Sequence, residues 1–274
     1  MDALIEAVAS HYARPALYER LLEALHAAGR TPEAMTRADL APVDAFHVGG
    51  ARATAELLAD LPLEPGLRVL DVGCGLGGAC RHLAAAFGCS VTGVDLSADY
   101  CRAAARLTEH LGLAGRVTFV QADARALPFA AGVFDLVLSQ HVQMNLPDKQ
   151  GYVGELVRVL RPGGRLALYE VFAGPGGAPH YPVPWASDAA ISFLVTPDAF
   201  RQVLEEAGLS VVRWEDVTGA GRAWVARVTA RRPAAGPGLP LLMGERAGAM
   251  LAALQRNLVE GRITLIRAIA ERPA

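Results

Sequence analysis

The chain has 274 residues, 52% hydrophobic and 20% charged, with a formal net charge of −2. This suits a globular protein of one large domain with additions, and supplies no basic stripe for nucleic acid. No stretch stays apolar over the ~20 residues of a bilayer span, and MDALIEAVASHYARP lacks the flank and core of a signal peptide, so no membrane partner and a cytoplasmic location are expected.

Residues 1–62 read as helical. Leu4, Ile5, Val8 and Tyr12 recur at helical spacing, as do Leu17, Leu21, Leu22 and Leu25 ahead of Gly29. Thr31-Pro32 suggests a further helix start, and ATAELLADL is helical again after the linker DAFHVGG.

From residue 63 to 232 strands and helices alternate. LRVLDV, SVTGVD, RVTFVQAD, FDLVLSQ and GRLALYEVF read as strands, apolar enough to be covered on both faces of a parallel sheet. Between them lie helices, one ended by Gly88, one capped by Ser97 and ended by Gly112, and one beginning beyond Pro147. AGPGGAPHYPVPWASD belongs to an insertion over 173–196, long enough for a functional reading. After the helix TPDAFRQVLEEAG, the stretches SVVRWEDVT and WVARVTARR are separated by a few residues holding Gly219 and Gly221. That link permits a hairpin but no parallel crossover, so the sheet is expected to finish antiparallel. Residues 233–274 read as a helical extension with Met243, Met250, Leu251, Leu254 and Leu258 on one face, suited to core or homodimer contact. The cysteines (Cys74, Cys80, Cys89, Cys101) follow neither zinc nor disulfide spacing and read as buried thiols.

Ligands of an open parallel sheet bind beyond the carboxyl ends of its strands. Those ends carry Asp71 with the turn VGCGLGG, then Asp95, Asp123 and Gln140-His141. Gly73, Gly75 and Gly78 satisfy G-x-G-x-x-G, the pattern that cradles pyrophosphate. Three carboxylates around one crevice would repel that anion. They suit a nucleoside joined to an amino acid through a sulfonium: Asp95 accepting from ribose, Asp123 from the adenine amino group, Asp71 supporting an ammonium.

A single glycine turn says little, but five motifs in order carry a resemblance. VLDVGCGLGG, GVDLS, QADA, FDLVLSQ and LRPGGRLAL resemble the motifs of the class I S-adenosylmethionine-dependent methyltransferases. The resemblance implies a doubly wound α/β fold, a mostly parallel seven-stranded sheet with an antiparallel last strand, and helical additions at both ends. It implies S-adenosyl-L-methionine as cofactor, S-adenosyl-L-homocysteine as product, and binding through Asp71, Gly73, Cys74, Gly75, Gly77, Asp95, Leu96, Asp123, Ala124 and Gln140. FHVGG, SQ followed by PDK, YPVPW and RNLVEGR resemble the sarcosine/dimethylglycine N-methyltransferase-like group. Many of its members carry histidine at the position of Asn145 and an acidic residue at that of His141.

The loop SQHVQMNLPDK lacks the proline-rich tetrapeptide of enzymes acting on DNA bases, which leaves a small-molecule acceptor methylated at N or O. His141 is the candidate base or acceptor-orienting group. Gln143, Met144 and Asn145 would form a substrate rim, His47 a lid contact, and His180, Tyr181 and Trp185 a substrate cover. No metal site is expected. Carbon methylation of a ring, a non-catalytic cofactor-binding module and a nicotinamide oxidoreductase are the rival readings.

Overall fold

Four consecutive residues of RVLDV, Val69 to Val72, are buried, so this strand is covered on both faces and sits mid-sheet. The computed structural model describes residues 3–230 and 236–274. In chain order its elements are α1 (Ala3–Tyr12), α2 (Leu17–Ala27), α3 (Arg37–Asp44), α4 (Gly50–Leu58), β1 (Arg68–Val72), α5 (Gly78–Phe87), β2 (Ser90–Asp95), α6 (Ala98–His110), β3 (Val117–Gln121) and β4 (Phe134–Gln140). There follow α7 (Lys149–Val159), β5 (Leu160–Ala173), α8 (Pro197–Glu206), β6 (Ser210–Asp216), α9 (Thr218–Ala230), α10 (Leu239–Met243), α11 (Ala247–Val259) and β7 (Ile263–Glu271).

The sheet runs in the order β3-β2-β1-β4-β5-β7-β6. β1 pairs in parallel with β2 on one side and β4 on the other, so strand order reverses there and a crevice opens beyond their carboxyl ends. Apolar side chains pack in separate clusters on the two faces, Leu83, Leu138 and Ile269 in one and Val72, Phe172 and Phe200 in the other. Local signals in the chain fix several helix ends. The Ser97 hydroxyl accepts from the Tyr100 N–H, Asp148 from the Gly151 N–H, and Gly88 closes α5 in the left-handed conformation.

The sheet has seven strands and an antiparallel last strand, as expected, but a different stretch of the chain supplies that strand. SVVRWED is a strand, β6, but most of WVARVTARR belongs to helix α9. The antiparallel strand is β7, which inserts between β5 and β6 and pairs with both. The 233–274 stretch is therefore not wholly helical: after α10 and α11 it supplies a central strand of the sheet. The physical reason lies in spacing. Gly221 and Val225, four residues apart, face inward together, and a Cβ on Gly221 would meet Leu265 and Val48. The expected boundary at 232/233 lies outside the described residues.

Candidate active site

A cavity opens at the switch point, with about 1540 Å³ of space counted out to its mouth. The turn after β1 forms its floor. Gly73, Gly75 and Gly77 all have positive φ, which other side chains resist. A Cβ at Gly73 would strike Val142, whereas one at Gly75 would find nothing nearer than Tyr100 at 4.0 Å. At Gly75 the backbone is thus bare toward the cavity.

The strand tips deliver the three expected carboxylates into this lining. Asp71 is buried, its Oδ2 accepting from the Cys80 thiol at 3.1 Å, and burial raises its carboxyl to about 7. Asp95 accepts from the Gly75 N–H at 3.0 Å and the Ser97 N–H at 2.9 Å, and burial raises it too. Asp123 is half-exposed and paired with the Arg125 guanidinium, a partner the sequence reading did not foresee. Cys74, Leu96, Ala124 and Gln140 also line the cavity. Asp44 is the fourth carboxylate of the lining and pairs with the fully buried Arg81 at 2.5 Å.

His141 follows β4 with φ of 57°, an unusual backbone for a residue with a side chain. Its N–H donates to the Tyr169 carbonyl at 2.8 Å, and the Val142 and Gln143 N–H groups donate to Glu170 Oε2. Glu170 is fully buried, and that burial raises its carboxyl to about 7. These bonds hold the histidine's strained backbone in place. The His141 ring sets Nδ1 against the Tyr169 carbonyl at 3.1 Å, so Nδ1 carries the hydrogen and Nε2 keeps a lone pair. Nε2 has the Val48 N–H at 3.4 Å as its partner. Burial, then the neighbouring His47, lowers the imidazole to about 3, so the ring is neutral at pH 7.

His47 lines the cavity but is engaged internally. Its Nδ1 donates to the Val48 carbonyl, and Nε2 faces Thr54 at 3.0 Å and the Gln140 amide at 3.2 Å. Asn145 ties three segments together. Its amide donates to the Trp185 and Ile191 carbonyls, while its Oδ1 accepts from the Tyr12 hydroxyl at 2.8 Å. Met144 and Trp185 also line the cavity.

Three expected substrate residues do not reach the cavity. Gln143 turns into the core and donates to the Val171 carbonyl, because the short 3-10 turn Gln143–Asn145 points it away from its neighbours. His180 bonds to Asn257 and Glu260 at the far end of α11. Tyr181 packs against the core cluster instead. Conversely, Tyr12, whose spacing reads first as helix packing, lines the cavity, and Tyr100, Trp224, Met243, Leu251 and Leu254 line it unforeseen in that role. The helical stripe of methionine and leucine near the C-terminus was the one signal for the last three.

A group of three or more His, Cys, Asp or Glu suited to a metal is absent among the described residues. The lining fits a cationic nucleoside: it holds four carboxylates and, among the described residues, no lysine or arginine. The Tyr100 hydroxyl is buried in it without a partner.

A family profile described as a methyltransferase domain matches residues 70–168, the stretch from β1 into β5. Over that stretch the chain carries a methyltransferase domain. The methyltransferase GfsG of Streptomyces halstedii is 37% identical over 133 residues, 48% of this chain and 48% of that protein. The sarcosine/dimethylglycine N-methyltransferase of Halorhodospira halochloris is 32% identical over 174 residues, 61% of each. The match thus spans less than two thirds of either relative. Among solved structures, the geranyl diphosphate C-methyltransferase of Streptomyces coelicolor A3(2), crystallised with S-adenosyl-L-homocysteine, superposes with a TM-score of 0.71. It is 20% identical, with 98% of both chains covered, so the two share a fold.

Proposed function

We propose that the chain transfers a methyl group from S-adenosylmethionine to a small molecule held over His141. One observation carries the reading: carboxylates at three successive strand tips surround a cavity whose described lining has no cationic side chain. Such a lining favours a cofactor of net positive charge and opposes the diphosphate of a nicotinamide nucleotide.

Asp95 would hold the ribose hydroxyls and Asp123 the adenine amino group, with Asp123 sharing its oxygens between that group and Arg125. Asp71 and the Tyr100 hydroxyl would hold the amino-acid end, beside the bare backbone at Gly75. When bound, the cofactor supplies a methyl carbon on a sulfonium, whose carbon–sulfur bond breaks with the electron pair left on sulfur. The protein's part is to align the acceptor behind that carbon and keep water out. Its apolar roof from α1, α10, α11 and Trp185 serves both ends.

Calorimetry tests the assignment. S-adenosylmethionine and S-adenosylhomocysteine are expected to bind, with NADH silent; tight NADH binding and no response to the other two would reject it. His141→Ala is expected to lower turnover by ~10²-fold or more while leaving cofactor affinity unchanged.

A further inference from the structure

The cavity divides by chemistry. Its carboxylates gather on the glycine-turn side, Asp71, Asp95 and Asp123 at strand tips and Asp44 against Gly78, whose Cβ would stand 2.1 Å from the Asp44 carbonyl. Each already has a protein partner: the Cys80 thiol, the Gly75 and Ser97 N–H groups, Arg125 and Arg81. The other side is built from α1, the turn after His141, the 174–196 loop, α10 and α11. Val8, Met144, Trp185, Met243, Leu251 and Leu254 line it, and among the described residues it presents no charged side chain.

Polar capacity on that side is sparse and of one kind. The Asn145 amide hydrogens are taken by two carbonyls and its oxygen by Tyr12, whose own hydrogen is thereby used. What remains is lone pairs on Tyr12 Oη, and His141 Nε2, whose contact is the long 3.4 Å approach of the Val48 N–H that an acceptor hydroxyl would displace. From this we infer that the acceptor is a neutral, largely apolar molecule presenting a hydroxyl to Nε2 of His141, an inference that rests on the methyl-transfer reading above.

The alternatives meet physical obstacles. A phosphorylated or carboxylate acceptor would find no lysine or arginine in the described lining and four carboxylates across from it. An amine arrives protonated at neutral pH, finds no carboxylate on its side, and must lose a proton before it can accept a methyl group. His141, neutral and held at about 3, does not draw a proton from an ammonium. A hydroxyl differs, because its proton becomes strongly acidic only as the oxygen takes up the methyl group. The hydroxyl oxygen forms the new carbon–oxygen bond, its O–H bond breaks, and the proton passes to Nε2 while Nδ1–H stays on the Tyr169 carbonyl. The carbon–sulfur pair remains on the departing sulfur, and the imidazolium returns its proton to water.

The experiment measures binding to the intact chain saturated with S-adenosylhomocysteine, using three probes of one skeleton: an alkylphenol, its phosphate ester and the matching alkylamine. The alkylphenol is expected to bind at least ~10-fold more tightly than the other two. Leu251→Glu, at a half-buried position, is expected to weaken the alkylphenol by about tenfold with S-adenosylhomocysteine affinity unchanged. Equal or tighter binding of the phosphate or the amine overturns the inference, as does an alkylphenol affinity indifferent to Leu251→Glu. Failure of folded wild-type protein to bind S-adenosylhomocysteine is a separate result, and removes the methyl-transfer reading itself.

Discussion

Asp71 is buried with a thiol as its hydrogen-bond donor, and burial holds its carboxyl near 7. A cationic ligand group beside it favours the ionised form, so binding and deprotonation are linked. S-adenosylhomocysteine affinity is therefore expected to rise with pH up to about 7, approaching tenfold per unit well below that value, and then to level off. Asp71→Asn is expected to weaken binding at pH 8 and flatten the profile between pH 5 and 7, as calorimetry across that range would read; a slope surviving in the variant would remove Asp71 from the ammonium's contacts. Asp71, Asp95 and Asp123 were legible because each ends an apolar run that can only be a buried strand, and strand ends of a parallel sheet converge. Gln143, His180 and Tyr181 were not, because the direction of a side chain in a turn or a long loop depends on tertiary partners. Asn257 and Glu260, which hold His180, lie 77 and 80 residues away.

Where elements are concerned, five strands and their helices follow directly from hydrophobic runs punctuated by glycine, serine and proline. The sheet's end did not, and the cause is specific. ITLIRAIAE is buried on both faces, so it has no alternation to announce a strand, and a short apolar run reads equally as helix or strand. WVARVT carries β-branched residues on a segment whose packing at Gly221 and Val225 selects a helix, tertiary context overriding propensity. Because β7 is central, its backbone N–H groups are committed to ladders on both sides. Ile269 pairs with Ala167 of β5 and Arg213 of β6. Ile269→Pro removes a donor there and leaves a buried carbonyl unpaired, which is expected to cost about 1–3 kcal/mol, read as a lowered urea midpoint. A near-wild-type midpoint would place this strand at a tolerant edge and contradict the topology.

Over the whole molecule, burial pushes two kinds of group in opposite directions. Asp71 and Glu170 are raised to about 7, with Asp44 and Asp95 raised as well. Their contribution to stability is fully present below the unfolded values and is lost as pH rises toward 7. His141 and His47 are lowered to about 3 and about 4, with His11 and His82 lowered as well. Neutral imidazoles contribute stability above 6.5, and it is lost as pH falls toward those lower values. Between about pH 4.5 and 6.5 the two slopes oppose each other, so the wild-type melting temperature is expected to vary little there. Exposed carboxylates with lowered values, such as Glu260 at about 2, act mainly below that window. Replacing Asp71→Asn together with Glu170→Gln removes the larger resolved carboxylate shifts and leaves the histidines unopposed. The double variant is expected to lose melting temperature steadily on acidification from pH 6.5 to 4.5, more steeply than wild type, in scanning calorimetry without ligand. A profile parallel to wild type would mean that these carboxyls are not held protonated in the folded chain, and the acidic half of the cavity would have to be ionised before any cation arrives.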